Sequence, residues 1–184
     1  TGTVTVGLTA AEDVSGLSID ASSAGTVDVD NIDSDGASIT AGEDATVDLD
    51  GTSSPDDSAT VSASSSTGNS VTLETKGTEQ VDVLDLSGNG ASVVYALDGT
   101  GDQPTDVTFS GDQDVTLQLT AAQAAGITDG VTDSTAGGAS TTVELGAISS
   151  ATHDLSDVSA DVVDLAATAG SMATVTVQNE QDVS

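Results

Sequence analysis

The sequence predicts an all-β chain wound as a parallel β-solenoid (β-helix), with coils of roughly 22 residues and two strands per coil. Three observations carry this. Short segments of the form apolar–x–apolar recur as Val27-Asp-Val29, Val47-Asp-Leu49, Val71-Thr-Leu73, Val93-Val-Tyr95 and Val115-Thr-Leu117, with first residues 20, 24, 22 and 22 apart. A second family alternates with the first: Leu17-Ser-Ile19-Asp-Ala21, Ala37-Ser-Ile39-Thr-Ala41 and Ala59-Thr-Val61-Ser-Ala63, stepped by 20 and 22. Aromatics make up only 1% of a chain that is 36% hydrophobic, which suits a thin aliphatic core.

Each segment has the period-2 alternation of a half-buried strand. Val4-Thr-Val6 joins the first family 23 residues before Val27, and Val143-Glu-Leu145 joins it 28 residues after Val115. Val81-Asp-Val83 and Val107-Thr-Phe109 continue the second. Laying like on like places Val27, Val47 and Val71 in one aliphatic column. The competing fold is an immunoglobulin-like β-sandwich, which would pair successive strands antiparallel. The self-similarity and the lack of a core Trp or tyrosine corner weigh against it.

In chain order, Thr1–Leu8 reads as the first strand. Leu8-Thr-Ala-Ala then opens a short helical turn, and a near copy runs Leu119-Thr-Ala-Ala-Gln-Ala-Ala-Gly126-Ile127. In both, Thr caps the first turn and Gly takes the left-handed C-terminal position. Turns fall at Ser22–Gly25, Asn31–Gly36, Gly51–Ser58, Ser64–Asn69, Ser87–Gly90 and Asp98–Thr105. Pro55 and Pro104 stand in these turns, where they remove no ladder bond. From Gly126 to Asp157 the register loosens, and Asp161–Leu165 and Ala173–Val177 read as strands again. No linker divides the chain, so residues 1–184 form a single elongated unit. It opens at Thr1, without an initiator Met or a basic leader, and reads as a fragment of a longer secreted protein.

Thirty-one acids face one basic residue, Lys76, for a formal charge of −30. That excludes nucleic-acid binding, which needs Lys and Arg against phosphates, and adhesion to anionic membranes. No run of 18 apolar residues exists, so no membrane insertion is expected. No Cys is present, which removes disulfides and thiolate metal sites. The remaining attraction is for cations.

Stacked in parallel, equivalent residues lie about 4.8 Å apart. Asp28 and Asp30 then face outward beside Asp48 and Asp50, with Glu74 in the next coil. Like charges so placed destabilise a sheet, and a bound calcium, which takes six to eight oxygens in flexible geometry, is the simplest remedy. The sharpest local candidate is Asn31-x-Asp33-x-Asp35-Gly36, the opening of an EF-hand-like loop. Its twelfth position is Gly42, with Glu43 one residue late, so a calcium turn without flanking helices is the reading. Asp56-Asp57 and Asp112/Asp114 are weaker candidates that equally suit solvated loops. The one histidine, His153, stands beside Asp154 and near Ser149 and Ser150. A lone His in a polar loop is the ordinary reading, and no enzyme is expected. Lys76 follows Glu74 and pairs with it, and Tyr95 and Phe109 belong to the core.

The Thr/Ala/Gly/Val/Asp-rich composition, the absence of Cys, the near absence of Lys and Arg and the Leu-Thr-Ala-Ala-x-x-Ala-Gly-Ile turn resemble bacterial surface-layer proteins of the calcium-dependent RTX class, and repeats of large RTX adhesins. The resemblance implies a parallel β-solenoid, export without a cleaved N-terminal signal, calcium binding, and assembly into a lattice or stalk. That class is marked by Gly-Gly-x-Gly-x-Asp-x-aliphatic-x. The nearest match, Ser87-Gly88-Asn89-Gly90-Ala91-Ser92-Val93-Val94-Tyr95, has Ser92 where the ligand Asp belongs, so this is a solenoid portion outside the RTX repeats. The expected function is structural: an extracellular building block of a surface layer or fibre, self-associating through calcium, with a cell-surface polysaccharide as a further partner. The alternative is a segment of a secreted adhesin that attaches to a surface.

Overall fold

The computed structural model describes residues 2–7, 17–30, 32, 36–51, 57–64, 69–75, 81–88, 92–98, 103–124, 126–128, 130–148, 152–167, 174–177 and 182–183. The first strand family builds a nine-stranded sheet. Its strands are β1 (Gly2–Gly7), β3 (Ala24–Asp30), β5 (Ala45–Leu49), β7 (Asn69–Thr75), β9 (Val93–Asp98), β11 (Val115–Thr120), β13 (Thr141–Ile148), β15 (Val162–Ala167) and β17 (Asp182–Val183). The second family builds a six-stranded sheet of β2 (Leu17–Ala21), β4 (Ala37–Ala41), β6 (Ser58–Ala63), β8 (Val83–Gly88), β10 (Asp106–Gly111) and β12 (Gly130–Asp133). A two-stranded sheet, β14 (Thr152–Leu155) with β16 (Thr174–Val177), follows. The single helix among the described residues is α1 (Ala121–Ala124).

The chain alternates between the two large sheets, so neighbours in a sheet are two strands apart in sequence. Pairing is parallel throughout the described residues, for example Val27 on Val47 and Ile39 on Val61. This is a β-solenoid with two strands per coil, and the antiparallel sandwich is excluded. The core lies between the sheets, where inward rows of Val, Leu, Ile and Ala are buried. Burying such a side chain stabilises by roughly 1.5–3 kcal/mol relative to leaving it in water. Tyr95 and Phe109 are both fully buried among them.

The column differs from the expected one in its third member. Val47 pairs with Leu73, not Val71, and Val71 stacks instead between Ala45 and Tyr95. A slide of two residues keeps every side chain on its own face, and it gives Val71 the wide Tyr95 as neighbour. The first column therefore runs Val4, Val27, Val47, Leu73, Leu97. A similar slide puts Val143 on Leu117. In the six-stranded sheet, Leu84 and Leu86 fill the slot expected for Val81 and Val83, stacking on Ala59 and Val61 below and Val107 and Phe109 above. The bulkier leucines take the inward positions, and Val83 is left half-buried.

The two coil faces are tied together by Tyr95. Its hydroxyl reaches from the nine-stranded sheet to backbone carbonyls of the six-stranded one, Val61 at 2.7 Å and Ser87 at 2.9 Å. The six-stranded sheet ends where an acid enters the inward row: Asp133 occupies the position above Phe109. Its Oδ1 accepts from the Thr135 amide and hydroxyl, both at 2.8 Å, and its Oδ2 from the Thr141 hydroxyl at 3.0 Å. Thr141 in turn exchanges two 3.0 Å bonds with Asp161. This network replaces apolar stacking with satisfied polar bonds. Apart from Asp161 it lies inside the 126–157 stretch expected to lose register, although β12 and β13 both stay in their sheets.

Of the two Leu-Thr-Ala-Ala turns, the one opened by Leu8 lies outside the described residues. The second forms α1 with a reciprocal cap: the Gln123 amide donates to Thr120 Oγ1 (3.2 Å) and the Thr120 amide to Gln123 Oε1 (2.7 Å), the capping-box arrangement. Gly126 is not in the left-handed region, contrary to expectation. The space there is tight: a Cβ would lie 3.1 Å from Gln103 Cβ and 3.2 Å from the Gln123 carbonyl oxygen.

Candidate functional site

Because β3, β5 and β7 alternate inward aliphatic and outward polar residues, Asp28, Asp48 and Glu74 fall into one outward row. Asp28 pairs with Asp48, Asp48 with Glu74, and Glu74 with Asp98. The Asp28–Asp48–Glu74 neighbourhood expected from sequence is therefore present. Rungs of this row are about 4.8 Å apart, where two carboxylates repel by roughly 0.9 kcal/mol even in water. Asp48, in the middle, is only 5% exposed, more covered than an outward acid on a flat sheet should be. Asp30 closes β3 opposite Gly7. Asp50 sits just past β5, its amide donating to the Val29 carbonyl and its carbonyl accepting from the Ile32 amide, both at 3.0 Å.

Asn31, Asp33 and Asp35 lie outside the described residues, as do Lys76, Ser149 and Ser150. Beyond Asp35 the chain passes through Gly36 directly into a strand. Gly36 has φ +82°, as a turn glycine should, but β4 begins immediately after it. Gly42, the twelfth position, lies beyond that strand and against the Ser22 and Ala24 carbonyls, where a Cβ would approach to 2.8 and 3.0 Å. Asp57 is buried, and its backbone carbonyl accepts from the Val83 amide at 2.9 Å. Asp112 and Asp114 are exposed, and Asp114 holds the Ser140 amide at 2.8 Å. His153 lies on β14, in register with Val175. Among the described residues no three His, Cys, Asp or Glu side chains converge tightly enough to enclose a metal ion. What the row offers is pairs.

A feature not legible in the sequence lies farther along the same sheet. A groove of about 450 Å³ is lined by Thr72, Gln118, Glu144 and Asp164, with Leu119 and Gln123 at its side. Its floor follows one outward row, Thr72–Ala96–Gln118–Glu144–Asp164. Ala96 and Gly146 leave dips there, and both line the groove. Gln118 Nε2 donates to Glu144 Oε2 at 2.7 Å. Helix α1 stands at the edge, held by its cap and by a 2.9 Å bond from Gln123 Nε2 to the Leu97 carbonyl. The Thr-Ala-Ala-Gln turn was the available signal, but only the register shows which acids it stands beside.

No known protein family, curated protein or solved structure matches the chain.

Proposed function

We propose that this chain is a structural extracellular protein, a solenoid building block of a cell-surface layer or fibre that calcium stabilises and assembles. The observation that carries the reading is the in-register acidic row Asp28–Asp48–Glu74 on the outer face of a solenoid with formal charge −30. A row of like charges on adjacent strands opposes the fold that creates it. A hard divalent cation supported by carboxylates and water converts that repulsion into cross-strand bridges. Asp28, Asp48 and Glu74 would hold it, each pair giving part of the oxygen shell and water or a second copy completing it. The same neutralisation lets two acidic faces approach, which links stability to assembly.

The test is a melt and a light-scattering measurement on calcium-loaded protein, each repeated after EDTA. The expected result is a lower melting temperature and smaller particles without calcium. No change in either would remove calcium from the proposal. A calcium-stabilised rod that stays monomeric would instead favour the adhesin-segment reading.

A further inference from the structure

We infer that the groove beside α1 is a binding site for a primary alkylammonium group, that is, an aliphatic arm ending in –NH₃⁺. This does not depend on the calcium proposal. The groove's volume of about 450 Å³ falls within the range of roughly 300–1,000 Å³ usual for small-ligand sites.

Its chemistry is divided. Among the described residues, the charged groups lining it are both acids, Glu144 and Asp164, paired across β13 and β15. Gln118 already donates to Glu144 Oε2, which holds that carboxylate in place and leaves its second oxygen for another donor. An ammonium carries three donors and no acceptor, so it can bridge Glu144 and Asp164 and relieve their repulsion. The other side is apolar: Ala96 is half-exposed on the floor, bordered by the edges of Leu97 and Leu119, which are otherwise buried at 6% and 5% exposed. An aliphatic stem lies well along such a wall while its charged head stays at the wet, acidic end. A bare metal ion would use the acids but not the wall. A neutral sugar would leave the charge uncompensated.

The experiment is an amide-shift NMR titration of the isotope-labelled chain in calcium-free buffer at fixed ionic strength. The probes are n-butylamine, for a free amine, and Nα-acetyl-lysine amide, for a lysine side chain. Saturable shifts confined to residues 96–97, 117–124, 143–146 and 164 are expected with at least one probe, and the tighter one identifies the source. Glu144→Gln and Asp164→Asn should each weaken binding at least five-fold. Ala96→Leu, which fills the floor and leaves every charge in place, should abolish it. Asp28→Asn, on the acidic row, should leave it unchanged. Each variant's amide spectrum reports whether it is folded. Shifts that spread along Asp28–Asp98, that survive Ala96→Leu, or that tetramethylammonium or sodium reproduce equally would overturn the inference.

Discussion

Tyr95 does two things that no aliphatic residue in its column can do. Its ring fills the space above Val71, and its hydroxyl bonds carbonyls of the opposite sheet. Tyr95→Phe keeps the first and removes the second, so unfolding free energy should drop by about 1–2 kcal/mol, read as a lower urea midpoint. The phenol also gives a pH dependence. Burial, with the Asp85 carboxylate adding to it, pushes its pKa far above the ordinary tyrosine range. An unfolded tyrosine ionises near pH ~10 while the folded one keeps its proton. This contribution is thus fully present below about pH 10 and is lost as pH rises beyond it. The urea midpoint should fall between pH 9 and pH 11 (approximate bounds around that tyrosine value), and Tyr95→Phe should flatten the fall. That Tyr95 and Phe109 belong inside was legible from sequence, because each completes an apolar–x–apolar triplet. The partners of the hydroxyl were not, because Val61 lies 34 residues away and offers only a carbonyl.

At the scale of strands, alternation showed which side chains face inward but not which sits on which. Val71 and Leu73 are both aliphatic and have the same parity, so two registers satisfy the pattern equally, and the one adopted puts Val71 beside Tyr95. The same ambiguity hid Leu84 and Leu86 behind Val81 and Val83. The Asp28–Asp48 pair was legible because Thr-Val-Asp repeats on both strands with no intervening ambiguity. The groove was not, because it depends on two small residues, Ala96 and Gly146, lying beside a helix. Two outcomes follow for these elements. Asp28→Asn removes one charge from the row, and in low salt without divalent ions it should raise stability by up to about 1 kcal/mol; adding calcium should cancel or reverse that gain in a paired thermal melt. Gln123→Ala removes the bond to the Thr120 amide and the strut to Leu97. It should cost about 1–2 kcal/mol and speed hydrogen exchange at residues 120–124 more than in β5 or β7.

For the molecule as a whole, self-repulsion and stacking act against each other. Thirty-one acids with one basic residue should make stability salt-dependent even without a specific ion. Between roughly 10 mM and 1 M NaCl the screening length shortens from about 30 to 3 Å, so the melting temperature should climb steadily over that interval. Each coil touches mainly its neighbours, so stability is close to a sum of local terms. Hydrogen exchange should accordingly be slowest in the central strands and fastest in the two-stranded sheet of β14 and β16. The arcs joining one coil to the next also vary freely. Paired residues are 20 apart from Val27 to Val47, 26 from Val47 to Leu73 and 24 from Leu73 to Leu97, yet the columns hold. Corner length is thus decoupled from the core. Gly137 and Gly138 mark one such corner, at φ +76° and +82° with open space around both. A foreign epitope spliced between them should ride outside the scaffold, visible to its antibody and silent in the melting curve, which would make the coil a display platform that accepts cargo at its bends.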